Sequence, residues 1–204
     1  MKTTQTAESV LSELDPITSK VSEAVEIGVA VARDYFEEHH KNFDPWLFAD
    51  LFRNEVGERL SSIQESGTLL PYGYRRILLP NNGLEFWFGD YRIKILKSTD
   101  GRLPVGGSIA RNLFYYQPML PSMEDAFGTK LVIVWEIDKS YMLAQLQLVC
   151  PKSPSIYPDS PEEHWEIDIP HAAVMVVAEP TKAEPSDQDL PITPLRKQIV
   201  SEGE

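Results

Sequence analysis

The spacing of apolar residues changes near Gly67, and this change limits the folds open to the chain. Before it, Ile17, Val21 and Val25 recur at four-residue intervals, which is typical of an amphipathic helix. After it, the odd-numbered residues of Tyr91–Lys97 are mostly apolar and alternate with bases, as in a half-buried strand. Helices followed by strands along the chain predict an α+β fold.

Two Asp-Pro pairs mark the expected helix starts, because Asp is favoured at the N-cap and Pro at the first helical position. The first helix is predicted to run from Asp15-Pro16 towards Lys41, and the second from Asp44-Pro45 to about Gln64. Val25–Val31 alternates like a strand, but the helical spacing of its flanks favours a helix. The short connection between the helices favours an antiparallel pair.

The remainder of the chain is predicted to be mainly strand. The expected strands are Tyr74–Leu79, Leu84–Phe88, Tyr91–Lys97, Lys130–Glu136, Met142–Cys150 and part of His164–Ala178. A short helix is expected over Ile109–Tyr116, with Ser108 as its N-cap. The predicted fold is therefore an N-terminal antiparallel helical pair packed on a mainly antiparallel sheet.

The same patterns predict the domain organisation. Residues 1–14 are expected to be a flexible N-terminus, and residues 15–178 a single α+β domain. Within that domain, residues 15–65 form the helical pair and residues 69–178 are mainly β. Residues 179–204 are acidic, rich in Pro and poor in large apolar residues, which predicts a disordered tail.

Charge and hydropathy exclude several classes of protein. The formal net charge is −12, which disfavours general binding of double-stranded nucleic acid. The acidity is uneven, because residues 61–120 carry 4 acids and 7 bases whereas both flanking regions are acidic. The longest apolar runs are far shorter than the roughly 20 residues of a spanning helix. With no apolar leader at the N-terminus, we expect a cytoplasmic protein without membrane association.

The basic middle region is the first candidate site. Glycines before a helix start, with bases close to them in the sequence, predict an anion-binding loop, because helix N-termini and exposed amides bind phosphate or carboxylate. The candidate residues are Arg92, Lys94, Lys97, Arg102, Gly106, Gly107, Ser108 and Arg111. The alternative is that these bases neutralise acidic side chains of the same fold.

Aromatic residues and potential metal ligands have competing interpretations. The rings of Phe86–Phe88 and Phe114–Tyr116, beside basic residues, suit either the core or stacking on bases of single-stranded nucleic acid. His164, Glu166 and Asp168 favour a charged edge strand over a metal site. No catalytic, nucleotide, cofactor or metal motif is found, and the single cysteine, Cys150, is interpreted as a buried apolar residue.

The tail contains a second candidate site. An apolar and basic segment follows its acidic linker, which is a pattern found in peptides that dock onto a partner as well as in plain disorder. The residues expected to make that contact are Leu190, Ile192, Leu195, Arg196, Lys197 and Ile199.

Three functional hypotheses follow. The first is a non-enzymatic accessory protein of the inhibitor, antitoxin or immunity type, which binds another, possibly basic, protein through its acidic surface or tail. The second is a small enzyme or sensor that binds a phosphorylated or nucleotide ligand at the Lys97–Arg111 loop. The third is a protein that binds single-stranded nucleic acid at the basic, aromatic hairpin. Homo-oligomerisation is compatible with each of them.

Overall fold

The structure, a computed structural model, describes residues 6–39, 42–79, 83–98, 102–104, 109–115, 129–152 and 163–171. Its helices are α1 (Ala7–Glu38), α2 (Pro45–Ser66) and α3 (Ile109–Tyr115), with a short 3-10 turn at Leu70–Tyr72. Its strands are β1 (Arg75–Leu78), β2 (Leu84–Phe88), β3 (Tyr91–Lys97), β4 (Thr129–Ile137), β5 (Leu143–Pro151) and β6 (Glu163–Asp168). The predicted α+β class is confirmed.

The six strands form one sheet in the order β1-β2-β3-β4-β5-β6. Every neighbouring pair is antiparallel except β3 and β4, which are parallel. Parallel neighbours require a crossover, and α3 lies in the connection between these two strands. The sheet is therefore mainly antiparallel, as predicted.

The helical pair covers one face of the sheet. The helix α1 packs on β5 and β6, and α2 packs on β1 and β2. The core between the layers contains Phe52 of α2, whose ring stacks on Trp135 of β4 with centroids 3.9 Å apart. On the opposite face, Phe114 and Tyr115 of α3 cover a smaller apolar cluster that includes Val132. The sheet is thus a middle layer with apolar contacts on both faces.

The second Asp-Pro pair marks a helix start and the first does not. Asp44 caps α2 by accepting hydrogen bonds from the amides of Trp46 and Leu47, and the helix ends at Gly67 in a left-handed conformation. In contrast, α1 begins at Ala7 with Thr6 as its N-cap, so Pro16 lies inside the helix. The predicted start at Asp15, and with it a flexible segment reaching to residue 14, was wrong.

Burial explains the longer first helix. Val10 and Leu14 extend the apolar stripe of α1 and are 1% and 0% exposed. Burying two such side chains contributes about 3 to 6 kcal/mol in total, at about 1.5 to 3 kcal/mol each, which offsets the roughly 3 kcal/mol cost of a proline within a helix. The hydroxyl of Thr18 also donates to the carbonyl of Asp15 in the turn around Pro16.

The structure can be compared with the prediction that the chain contains no membrane-spanning helix. Among the described helices, none combines the length and the hydropathy needed to cross a bilayer. The predicted tail, residues 179–204, lies outside the described residues, as do residues 172–178 of the last predicted strand region.

Candidate functional site

Part of the basic middle region lies on the sheet face away from the helical pair. The β2–β3 register places Glu85 opposite Lys94 and Trp87 opposite Arg92. Glu85 is fully buried, and its carboxylate pairs with the guanidinium of Arg92 and, at 3.2 Å, with the Lys94 ammonium. Two of the predicted anion-binding residues are therefore neutralised by a carboxylate of the same sheet.

The helix α3 covers this charge cluster. The Lys94 ammonium lies 4.2 Å from the centre of the Phe114 ring, and the Arg92 guanidinium carbon lies 5.6 Å from it. Burial lowers the pKa of Lys94, Glu85 opposes that shift, and Arg92 and Arg111 add to it. The structure thus brings Arg92, Lys94 and Arg111 into one electrostatic neighbourhood.

Lys130 belongs to the same neighbourhood and was missed in the sequence. It lies on β4 directly opposite Arg92 and is 8% exposed. Burial is the main cause that lowers its pKa, and the charges of Arg92 and Lys94 lower it further. Its strand, β4, is joined to the parallel strand β3 by a crossover connection. No local spacing in the sequence could therefore have placed Lys130 beside Arg92.

Two other predicted residues lie elsewhere. The Lys97 ammonium lies 5.7 Å from the centre of the Trp135 ring, and the pKa of Lys97 is lowered by burial and raised by Glu136. Arg102 is exposed and acts on Glu163, whose pKa is raised by burial and by Glu166 and lowered by Arg102. The described bases are consequently spread over three places.

Several predicted residues have no described position. Gly106, Gly107 and Ser108 of the anion-binding loop lie outside the described residues, and so do all the predicted docking residues of the tail. Those residues are Leu190, Ile192, Leu195, Arg196, Lys197 and Ile199.

The aromatic residues of the hairpin are largely core residues. Phe86 and Phe88 are 0% and 4% exposed, and Phe114 and Tyr115 are buried on the other face. The core interpretation is confirmed for these four rings. Trp87 alone in the hairpin is half-buried, and the Arg92 guanidinium lies 6.0 Å from its ring centre.

The potential metal ligands lie on an edge strand, and the single thiol lies in the core. His164, Glu166 and Asp168 are exposed on the edge strand β6, where Asp168 accepts a hydrogen bond from the Gln147 amide. Among the described residues, no group of three or more His, Cys, Asp or Glu could hold a metal ion. Cys150 is buried on β5, and burial raises its pKa to about 11.

A second candidate site lies where the C-terminal end of α1 meets the β4–β5 hairpin. A groove of about 420 Å³ opens there. Phe36, Phe43 and Phe48 pack against one another in it, with ring centroids 5.4 to 6.3 Å apart. The ring of Tyr141 closes one side by stacking on Phe43, with centroids 4.2 Å apart.

Tyr141 holds this position at a conformational cost. Its φ of 59° is left-handed, and it is the single non-glycine residue with positive φ in the described part of the chain. It follows a tight turn in which the amide of Tyr141 donates to the carbonyl of Asp138, and the Asp138 carboxylate accepts from the amides of Ser140 and Met142. Glycine is the usual residue at such a position, and a tyrosine there costs about 1 to 2 kcal/mol.

The rim of this aromatic groove carries the opposite charges of Arg33 and Glu37. The Arg33 guanidinium lies 2.7 Å from the Asp34 carboxylate and 3.5 Å from that of Glu37. The Glu37 side chain is 69% exposed, whereas Arg33 is 20% exposed. Water and ligands therefore meet carboxylate oxygens more than the guanidinium.

The sequence analysis missed this groove. Asp138-Lys139-Ser140 forms a turn, and no role was predicted from the sequence for Tyr141, the residue that follows. The available signal was a tyrosine where the hairpin geometry favours glycine.

Comparison with known proteins provides no functional guide. No protein-family model, no curated protein and no solved structure matches the chain.

Proposed function

We propose that the protein is a protein-binding accessory factor that holds a segment of its partner in the aromatic groove. The observation that carries the proposal is Tyr141, an aromatic residue kept half-exposed in a strained backbone conformation at the groove wall. Strain of this kind persists where the surrounding structure enforces it, and it is concentrated at binding and catalytic sites.

The groove has the composition of a peptide-binding surface. Its floor is aromatic and its rim is polar, and such an arrangement suits one apolar anchor side chain surrounded by polar contacts. The exposed carboxylate of Glu37 favours Lys or Arg beside that anchor. The expected occupant is thus a partner segment with an aromatic or large aliphatic residue next to basic residues.

The charge clusters favour this function over the ligand-binding alternative. Arg92 and Lys94 contact Glu85, while Lys97 and Arg102 act on Glu136 and Glu163 respectively. The charges of these four bases are thus offset by carboxylates of the same fold, and the acidic excess of the chain remains for a basic partner.

Selection from a random peptide display library on the immobilised protein tests the proposal. We expect the selected peptides to pair an aromatic or large aliphatic residue with Lys or Arg. The variants Tyr141→Gly and Tyr141→Asn remove the ring and suit the left-handed backbone, so each should bind the selected peptides about tenfold more weakly while remaining folded. Lys139→Ala, in the same exposed turn, is the matched control and should bind normally.

Two results would contradict the proposed peptide binding. Selection of acidic peptides, or peptide affinity that is the same for Tyr141→Gly and the unaltered protein, would overturn the proposal. Thermal unfolding of Tyr141→Gly establishes that the variant is folded, so that a loss of binding reports on the groove.

A further inference from the structure

A second groove, of about 500 Å³, lies between α2 and the edge strand β1. It is distinct from the aromatic groove and is lined mostly by polar residues. Its lining residues are Arg53, Asn54, Gly57, Glu58, Ser61, Ser62, Glu65 and Arg76.

Helix geometry brings two guanidinium groups together in this groove. Arg53, Gly57 and Ser61 are spaced by four residues, so they form a stripe along one side of α2. Arg76 of β1 lies across that stripe and donates to the hydroxyl of Ser61. A Cβ on Gly57 would be 2.9 Å from Nη2 of Arg76, so the absent side chain at Gly57 makes room for the guanidinium.

Both guanidinium groups keep a buried donor that has no hydrogen-bond partner in the described part of the chain. The Nε atoms of Arg53 and Arg76 are buried and form no hydrogen bond with any described residue. The other end of each group is engaged, since Arg53 pairs with Asp50 and Arg76 bonds to Ser61. Buried donors of this kind are rare in native proteins.

We propose that this groove binds the phosphate group of a small phosphomonoester. Two arginines offer several N–H donors in planar forks, which match the oxygens of a phosphate better than a single carboxylate. The hydroxyls of Ser61 and Ser62 add further donors beside them. This site is independent of the proposed protein-binding function.

The acidic residues of the groove restrict the rest of the ligand. Glu58 and Glu65 line the same groove and repel a second negative group, which disfavours the backbone of a nucleic acid. Their carboxylates accept hydrogen bonds from an amine or hydroxyl. The best-matched ligand carries one phosphate and an amine, as O-phosphoethanolamine does.

Calorimetric titration of the full chain with O-phosphoethanolamine and with inorganic phosphate tests the site. Both should bind saturably, and O-phosphoethanolamine more tightly. Arg53→Gln and Arg76→Gln should each weaken binding about tenfold or more, because each removes a charged donor. Gly57→Ala should also weaken binding by displacing the Arg76 guanidinium.

A matched control comes from the same helix. Arg59 of α2 pairs with Glu55 at 2.7 Å, and Arg59→Gln should leave the affinity for both probes unchanged. Glu58→Gln combined with Glu65→Gln should remove the preference for O-phosphoethanolamine over phosphate.

The proposal fails if neither probe binds saturably, or if binding survives in folded Arg53→Gln and Arg76→Gln. It also fails if a single-stranded oligonucleotide binds this groove more tightly than O-phosphoethanolamine. Thermal unfolding of each variant establishes that it is folded, so that a loss of binding reports on the groove.

Discussion

At the scale of single residues, Glu85 is a full charge buried between two cations. Its carboxylate is the acceptor for both Arg92 and Lys94. Because removing one member of a buried ion pair leaves the others uncompensated, Glu85→Gln should lower the free energy of unfolding by about 3 to 5 kcal/mol. Urea denaturation measures this change.

A more accessible ion pair on α2 provides the control for Glu85. Glu55 pairs with Arg59 at the helix surface, so Glu55→Gln should cost less than about 1 kcal/mol. If Glu85→Gln costs as little as Glu55→Gln, water rather than Glu85 solvates the two cations.

Cys150 should link stability to alkaline pH. Burial raises its pKa from 9.0 to about 11, so the folded state keeps the proton in a range where the unfolded chain releases it. The thiol therefore contributes stability that is fully present below pH 9 and is lost as the pH rises to about 11. Two pKa units correspond to about 2.7 kcal/mol at most.

Denaturant titrations between pH 8 and 11 measure this loss. Tyr74 and Tyr115 also have a raised pKa through burial and add to the slope, so Cys150→Ala should reduce the pH dependence rather than abolish it. A thiol reagent at pH 8 should label Cys150 only after unfolding. Rapid labelling of the native protein would contradict the buried position.

At the scale of elements, the helical pair depends on one close approach. A Cβ on Gly28 of α1 would lie 2.6 Å from Cγ2 of Val56 on α2, inside the packed core. Gly28→Ala gains about 1 kcal/mol of helix propensity, but forcing a methyl group into this contact costs about 1 to 3 kcal/mol. We expect the variant to be destabilised overall in urea denaturation.

Gly57→Ala is the matched comparison on α2. The contact there is the far end of the Arg76 side chain, which can move away. The same gain in propensity should therefore leave Gly57→Ala as stable as the unaltered protein or more so. A Gly28→Ala variant as stable as Gly57→Ala would show that the two helices separate at little cost.

The elements also show how far local sequence patterns reach. Asp44-Pro45 and Asp15-Pro16 carry the same signal, yet only the first begins a helix. The difference is the apolar stripe before Asp15, because burying these side chains stabilises the longer helix. The β2 and β3 boundaries follow from alternation and tight turns, and the predicted bounds of both strands are confirmed.

The candidate sites were less predictable for the same reason. Arg92 and Lys94 lie near each other because they share a strand, but Lys130 joins them through a crossover. The two grooves form between elements distant in sequence, such as Arg76 of β1 beside Arg53 of α2. Contacts of this kind depend on how elements pack, which periodicity does not encode.

At the scale of the whole molecule, the tail remains a prediction with a direct test. Deleting residues 181–204 should leave the thermal unfolding temperature unchanged, since the acidic, Pro-rich sequence of this segment predicts a disordered tail. If the tail docks onto the partner, the deletion weakens binding of a peptide-selected partner even when Tyr141 is intact. Unchanged binding would remove the tail from the interface.

The net charge of −12 gives the last expectation, which concerns how binding depends on salt. Arg92 and Lys94 pair with Glu85, and Lys97 and Arg102 interact electrostatically with Glu136 and Glu163, so the charge of these four bases is offset within the fold. The surface field is then acidic, and a basic peptide should associate faster at low ionic strength. Raising the salt concentration from about 0.01 M to 0.15 M shortens the screening length from about 30 Å to 8 Å.

Stopped-flow association rates of a display-selected peptide provide the measurement. The association rate should fall as salt increases, while the dissociation rate, set by the aromatic contact with Tyr141, should change little. Glu37→Gln should reduce the salt dependence, because this side chain is the exposed carboxylate of the groove rim. An association rate independent of salt would mean that the acidic surface does not steer the partner, and that the apolar anchor alone selects it.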